Sequence, residues 1–219
     1  MSELRARKAA RTRLALVRAL TAALARARLE EVAVKSLCRE AEISEATFFN
    51  YFPEKQNLLL HVAHLWLLET AWHQDARARE ADGLARVERL FDHVARSCER
   101  QPGLMRELLA WMLRGGEVDA GLLQDPVERS LAFPELEGIE STPLRGLDAL
   151  LLPPLEQAIG RGQLPANVPP PLVLQGLAAL LLGVPATLLA HNPARIRSAF
   201  REQLALFWAG LRASAAGTH

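Results

Sequence analysis

The sequence predicts an all-α protein, with an N-terminal three-helix head followed by a longer helical body. Three observations predict it. Apolar residues recur at three- and four-residue spacing in most stretches between one break and the next, and no run reads as a strand. Half of the 219 residues are hydrophobic and 23% are charged, a globular composition with enough apolar mass to close a core. Charge is also divided unevenly. Residues 1–60 carry eleven Lys or Arg against seven Asp or Glu, whereas the remainder carries fifteen against eighteen. A basic end on a chain of net charge +1 is the electrostatic footprint of a module that meets nucleic acid.

Residues 1–12 read as an arm rich in Arg and Ala, in which Arg5, Arg7, Lys8 and Arg11 could touch phosphates or reach a minor groove, or as a disordered tail. Leu14, Val17, Leu20, Thr21 and Leu24 give a helical period, so a first helix runs to about Arg28. Leu29 to Val32 is a short link. Val34, Leu37, Cys38 and Ala41 then place one apolar face on a second helix. Ile43 lies in the following turn, and Ser44 can cap the next helix by accepting an orphan backbone N–H. That helix, Glu45 to Phe52, turns Phe48 and Phe52 towards the core. Ala46, Phe49 and Asn50 face the other way, Thr47 and Tyr51 form a third stripe, and Pro53 ends the helix. A short helix anchored by aromatics on one side and small or polar on the other fits a major groove about 12 Å wide. The arrangement is a helix-turn-helix over about 33–52, with Glu45–Phe52 as recognition helix.

The run S-E-A-T-F-F-N-Y-F-P-E-K-Q-N-L-L, from Ser44 to Leu59, resembles the signature of tetracycline-repressor (TetR) family regulators. The resemblance covers roughly Ala15 to Leu60, with turn, helix, Tyr-Phe-Pro and Lys-x-x-Leu-Leu all in register. The chain departs from the family pattern at Glu42 and Ala46, where Gly is usual, at Phe49, usually Tyr, and at Ala33, often a capping Thr. The resemblance implies a DNA-binding domain over residues 1–55 and a ligand-binding and dimerisation domain over 56–219. It implies that Thr47, Tyr51 and Lys55 hold phosphates, beside the capping Ser44, and that Glu45, Ala46, Phe49 and Asn50 face base edges. Asn50 could pair with adenine, Phe49 could meet a thymine methyl and Glu45 could accept from cytosine, with Lys35 adding a phosphate or guanine contact.

The body follows from about Glu54. Leu58, Leu59, Val62, Leu65, Trp66 and Leu68 cover most of a helix that continues to about Ala78. In the family such a helix joins head to body. Gly83 marks a break before an amphipathic helix to about Glu99, and Pro102-Gly103 opens another that Gly115-Gly116 stops. Residues 117–143 are broken by Pro126, Pro134, Gly138 and Pro143, with one helix near Val118–Leu131; they read as a pocket gate or a surface connection. Helices follow over about Leu144–Arg161, Leu172–His191 and Pro193–Ala213. The last two carry more apolar surface than one body can cover, with small residues at Gly176, Ala179, Gly183 and Ala186. They are expected to form a homodimer interface over about 172–213. Trp66, Trp72, Phe91, Trp111 and Met112 are candidate walls for a small apolar effector, with plain core packing as the bland alternative for each.

Other classes lack their residues. There is no Gly-rich phosphate loop and no nucleophile motif, so no enzymatic activity and no cofactor is expected. His61 and His64 lie one turn apart without a second cluster, so no metal is expected. Cys38 and Cys98 do not make a disulfide framework. The start has no apolar signal core. The run Leu172–Ala190 is interrupted by Gln175, Gly183 and Pro185 and reads as a buried helix rather than a span, so the expected location is cytoplasmic. The expected function is a ligand-responsive transcriptional repressor that binds a palindromic operator in double-stranded DNA as a dimer and is released by a small, largely apolar ligand. The alternative is a helical interaction or carrier protein without specific DNA binding.

Overall fold

A computed structural model describes residues 3–76, 82–115 and 125–216. Among these residues there are ten α-helices and no strand. α1 spans Glu3–Leu24, so the expected arm is helix from Glu3 onward. Ala, Arg and Lys are strong helix formers, and Ala10, fully buried, gives the first turns a hold on the core. The helix ends four residues earlier than expected. Ala23 accepts from both Arg26 and Ala27, at 3.0 and 3.1 Å, in a closing turn.

α2 (Val34–Glu40) and α3 (Glu45–Tyr51) are joined by a turn with a specific cost. The Ile43 N–H reaches back to the Cys38 carbonyl at 2.9 Å and the Glu42 N–H to that of Arg39 at 3.3 Å. These are the two crossed bonds of a Schellman cap, which needs a left-handed residue between them. Glu42 occupies that position with φ 54°. A Cβ in this conformation costs about 1–2 kcal/mol, partly offset by the extra chain entropy a glycine loses on folding. Glu42→Gly is therefore expected to stabilise the protein by about 0.5–1 kcal/mol, read as a raised denaturation midpoint with unchanged slope.

The chain packs as two units. One comprises residues 1–72 and 110–144, the other 73–109 and 145–219. The boundaries fall inside α4 (Lys55–Ala76) and inside α6 (Pro102–Leu113). The segment after α6 packs with the head. Its described part holds α7 (Pro126–Ala132), capped by Asp125, and a 3-10 turn at Ile139–Ser141. The remainder of the helix expected near Val118–Leu131 lies outside the described residues. Ile139 is buried with Leu14, Leu65 and Leu68, and Val17, Trp72, Leu131, Phe133, Leu136 and Leu144 pack around them. The Trp72 indole N–H donates to the Glu137 carbonyl at 2.8 Å.

The second unit holds α5 (Gly83–Arg100), α8 (Leu147–Gly160), α9 (Pro170–Leu188) and α10 (Ile196–Ala216). Asp82 caps α5 by accepting from the Ala85 N–H at 2.7 Å. A Cβ on Gly83 would lie 2.3 Å from the Pro154 carbonyl oxygen, so α5 and α8 cross at a distance only glycine allows. Phe91 and Phe200 meet edge to face at 4.9 Å between α5 and α10. Along α9 only Val173, Leu177, Leu181 and Pro185 are buried, and Leu172 stays 59% exposed. α9 is also the one helix, among the described residues, long and apolar enough to cross a membrane by length and composition.

His93 on α5 is buried, and that burial, with the charges of His73, Arg96 and Arg100, pushes it down to about 3. The folded chain therefore keeps this imidazole neutral where an unfolded histidine, at about 6.5, takes a proton. Stability is expected to fall as pH drops from about 6.5 towards 3, by about 1.4 kcal/mol per pH unit for this one proton. Melting curves across that range should show the slope, and His93→Leu should flatten it. An unchanged slope in the variant would assign the acid lability elsewhere.

Candidate nucleic-acid interface

The interface is built outward from one ring. Phe48 is fully buried, with Phe52 at 6.1 Å and Phe49 edge-on at 5.3 Å. With Phe48 and Phe52 inward, helical spacing turns Glu45, Ala46, Phe49 and Asn50 outward, and all four are exposed. Phe49 keeps half of its surface in solvent. Ser44 fixes the helix start. Its hydroxyl accepts the Thr47 N–H at 3.1 Å and shares a 2.8 Å hydrogen bond with the Thr47 hydroxyl. Thr47 and Tyr51 are half-buried flanks, and Lys35 is exposed on α2.

Lys55, at the start of α4, turns its side chain towards the α1–α2 link. Its ammonium donates to the carbonyls of Leu29, Glu30 and Val32, at 2.7, 2.8 and 3.2 Å. An ammonium has three donors, and all three close the link between α1 and α2. Lys55 thereby braces the link between α1 and α2. Basic groups in reach of solvent are supplied by α1. Arg7, Lys8 and Arg11 line a cleft of about 580 Å³ with Leu4, Thr12, Ala15 and Ala41. Ala41 is the residue that caps α2 just before the turn.

Sequence reasoning missed Arg13 and Glu128. Arg13 donates through Nε to Glu128 at 2.8 Å and through Nη2 to Asp125 at 3.2 Å, and its guanidinium lies 5.9 Å over the Tyr51 ring. The other Glu128 oxygen pairs with His61 Nε2 at 2.8 Å. Burial pushes the Glu128 carboxyl up, but the hydrogen bonds and charges of His61 and Arg13 outweigh it and hold the group below its usual range. No local pattern signals these partners, because Arg13 and Glu128 are 115 positions apart.

The candidate effector walls divide between the units. Trp66, Trp72, Trp111 and Met112 are half-buried in the first unit, and Trp72 is engaged in the packing described above. Phe91 is nearly covered and forms the floor of a cleft of about 450 Å³ between α5 and α10, edged by Arg89, Asp92, Arg197 and Arg201. Both thiols are buried and kept protonated. Burial and Glu45 push Cys38 up, and burial and Glu99 push Cys98 up to about 12. Among the described residues no group of three His, Cys, Asp or Glu is placed to hold a metal ion.

No family model matches the sequence, and no curated protein matches it. Solved structures do match. Thermus thermophilus FadR, a TetR-family transcriptional repressor in complex with lauroyl-CoA, is 24% identical, with 89% of this chain and 92% of that chain covered, at a TM-score of 0.57. The chain has the TetR-family regulator fold. Salmonella enterica GusR is 20% identical over 92% of this chain and 95% of its own, at a TM-score of 0.59. A third structure, described as the molecular basis for control of antibiotic production by bacterial hormones, is 22% identical over 92% and 97%, at a TM-score of 0.65. The chain carries its helix-turn-helix on α2 and α3, with α2 packed against α1 and α7 packed against α1.

Proposed function

We propose that the protein is a ligand-responsive transcriptional regulator that binds a two-fold symmetric DNA site as a dimer, most simply as a repressor in the cytoplasm. The observation that carries this reading is the exposed face of α3. Four outward residues, Glu45, Ala46, Phe49 and Asn50, sit on a helix whose opposite side is locked by buried Phe48. Phe49 meets the Phe48 ring with one edge and keeps half of its surface in solvent, and that free half can meet a thymine methyl while Asn50 pairs with adenine. Lys35, Thr47 and Tyr51 remain candidates for phosphate contact, now with Arg7, Lys8 and Arg11 of α1 in place of Lys55. Dimerisation through α9 and α10 is supported by the apolar side of α9 that the single chain leaves uncovered, and by Leu206 of α10, 69% exposed.

For the effector, the cleft between α5 and α10 has a suitable size, since small-molecule sites span about 300–1,000 Å³. Its floor is Phe91 and Phe200, and its edge mixes Glu88 and Asp92 with three arginines. Arg197 and Arg201 already face Asp92, whereas Arg89 keeps a buried Nη2 without a hydrogen-bond partner, which suits a largely apolar molecule with one anionic end. Octanoate should raise the melting temperature where octanol and octylammonium do not; equal shifts from all three would remove the charge from the argument.

Selection from a random duplex pool at near-physiological salt tests the main reading. Enrichment of a two-fold symmetric site is expected. Recovery of no preferred sequence would instead favour a helical interaction or carrier protein, and an asymmetric site would contradict the dimer.

A further inference from the structure

Glu128 is 2% exposed and would be expensive to bury as an isolated charge. Its two oxygens are fully engaged, one by Arg13 and one by His61. Arg13 in turn reaches three places: Glu128 and Asp125 at the start of α7, and the face of Tyr51 at the end of α3. A guanidinium within about 6 Å of a ring centre is held there by the ring's electron-rich face. Removing one member of such a network leaves a buried charge uncompensated. The set therefore ties α7, α1 and the end of α3 to one another through a single guanidinium.

We infer that Arg13 is a positioning residue for the recognition helix, and that Glu128 and Asp125 make this positioning conditional on α7 being seated against α1. While α7 is seated, the guanidinium is fixed over Tyr51 and the end of α3 is held for reading DNA. When α7 leaves, Arg13 loses both carboxylates and α3 loses its brace. α7, with its cap Asp125, is thus a transmitter to the head. The functional half of this inference rests on the proposed DNA-reading role of α3, but its structural half does not.

The chain has one tyrosine, so uniform 3-fluorotyrosine labelling places a single fluorine resonance on Tyr51. In the full-length protein without DNA, Glu128→Gln is expected to shift and broaden that resonance, and Glu202→Gln, on an exposed pair of α10, is expected to leave it in place. On a duplex selected by the wild-type protein, Glu128→Gln should weaken binding about tenfold, in the range of typical coupling between sites. Should Glu128→Gln fail to fold, Arg13→Lys keeps the charge but removes the planar group from the ring, and the same shift and loss are expected. A Tyr51 resonance unmoved by either variant would overturn the inference, as would a shifted resonance with full affinity for DNA. If the wild-type protein selects no duplex, the DNA-reading role fails, and the resonance alone still decides the contact between α7, Arg13 and Tyr51.

Discussion

Phe48→Ala is expected to destabilise the protein by about 3–5 kcal/mol, the usual cost of emptying a buried phenylalanine site, and to abolish DNA binding with it. Phe48 is fully covered and is the ring against which Phe49 and Phe52 pack. Phe52 continues the contact to His61 at 5.4 Å, so the loss reaches α4 as well. Against a typical total stability of about 5–15 kcal/mol, such a loss is a large fraction. Chemical denaturation gives the cost directly. The adjacent Phe49→Ala is the counterpart. With half of its surface already in solvent, it should change stability by no more than about 0.5 kcal/mol while weakening DNA binding. If Phe49→Ala were the more destabilising of the two, α3 would be seated by its other face.

Lys55→Met is the second large effect, and it separates two roles that the same residue could play. The ammonium holds three carbonyls of the α1–α2 link. Hydrogen bonds to a charged group contribute about 1.5–3 kcal/mol where shielded. Lys55 is only partly covered, so a total near about 2 kcal/mol is expected for the variant. Lys55→Arg should not restore it, because a planar fork cannot address three carbonyls arranged around one nitrogen. As a phosphate anchor, by contrast, Lys55 would contribute to counterion release, and its loss would reduce the slope of log affinity against log salt by about one. The expected result is lost stability with the salt slope unchanged. A reduced slope with full stability would return Lys55 to the DNA backbone.

The legible parts of the fold were local ones. Phe48 and Phe52 at a spacing of four gave the orientation of α3, Ser44 marked its start and Pro53 its end. Glu42 was conspicuous as a residue where glycine is usual, and its positive φ explains why. The illegible parts all depend on partners distant in the chain. Lys55 looked like a free cation at a helix start because its acceptors, at Leu29, Glu30 and Val32, are backbone carbonyls that no side-chain pattern announces. Residues 117–143 read as a pocket gate or a surface connection because the ties of their described part to the head, the ion pairs of Arg13 with Asp125 and Glu128, the His61–Glu128 pair and the packing around Ile139, join residues far apart in the chain. The start of α1 was misread because solvated arginines suggest an arm when Ala10 is not known to be covered.

The most direct test of the central claim is to repeat the duplex selection with Asn50→Ala. Asn50 is exposed on the outward face of α3 and lies away from the Phe48 anchor, so the variant should fold as the wild type does. The expected result is an otherwise unchanged two-fold site in which preference is lost at one base pair and its symmetry mate, at a cost of about 1–3 kcal/mol there. Identical site preferences and affinities for the wild-type and Asn50→Ala proteins would contradict the account, because the outward face of α3 would then not be what reads the DNA.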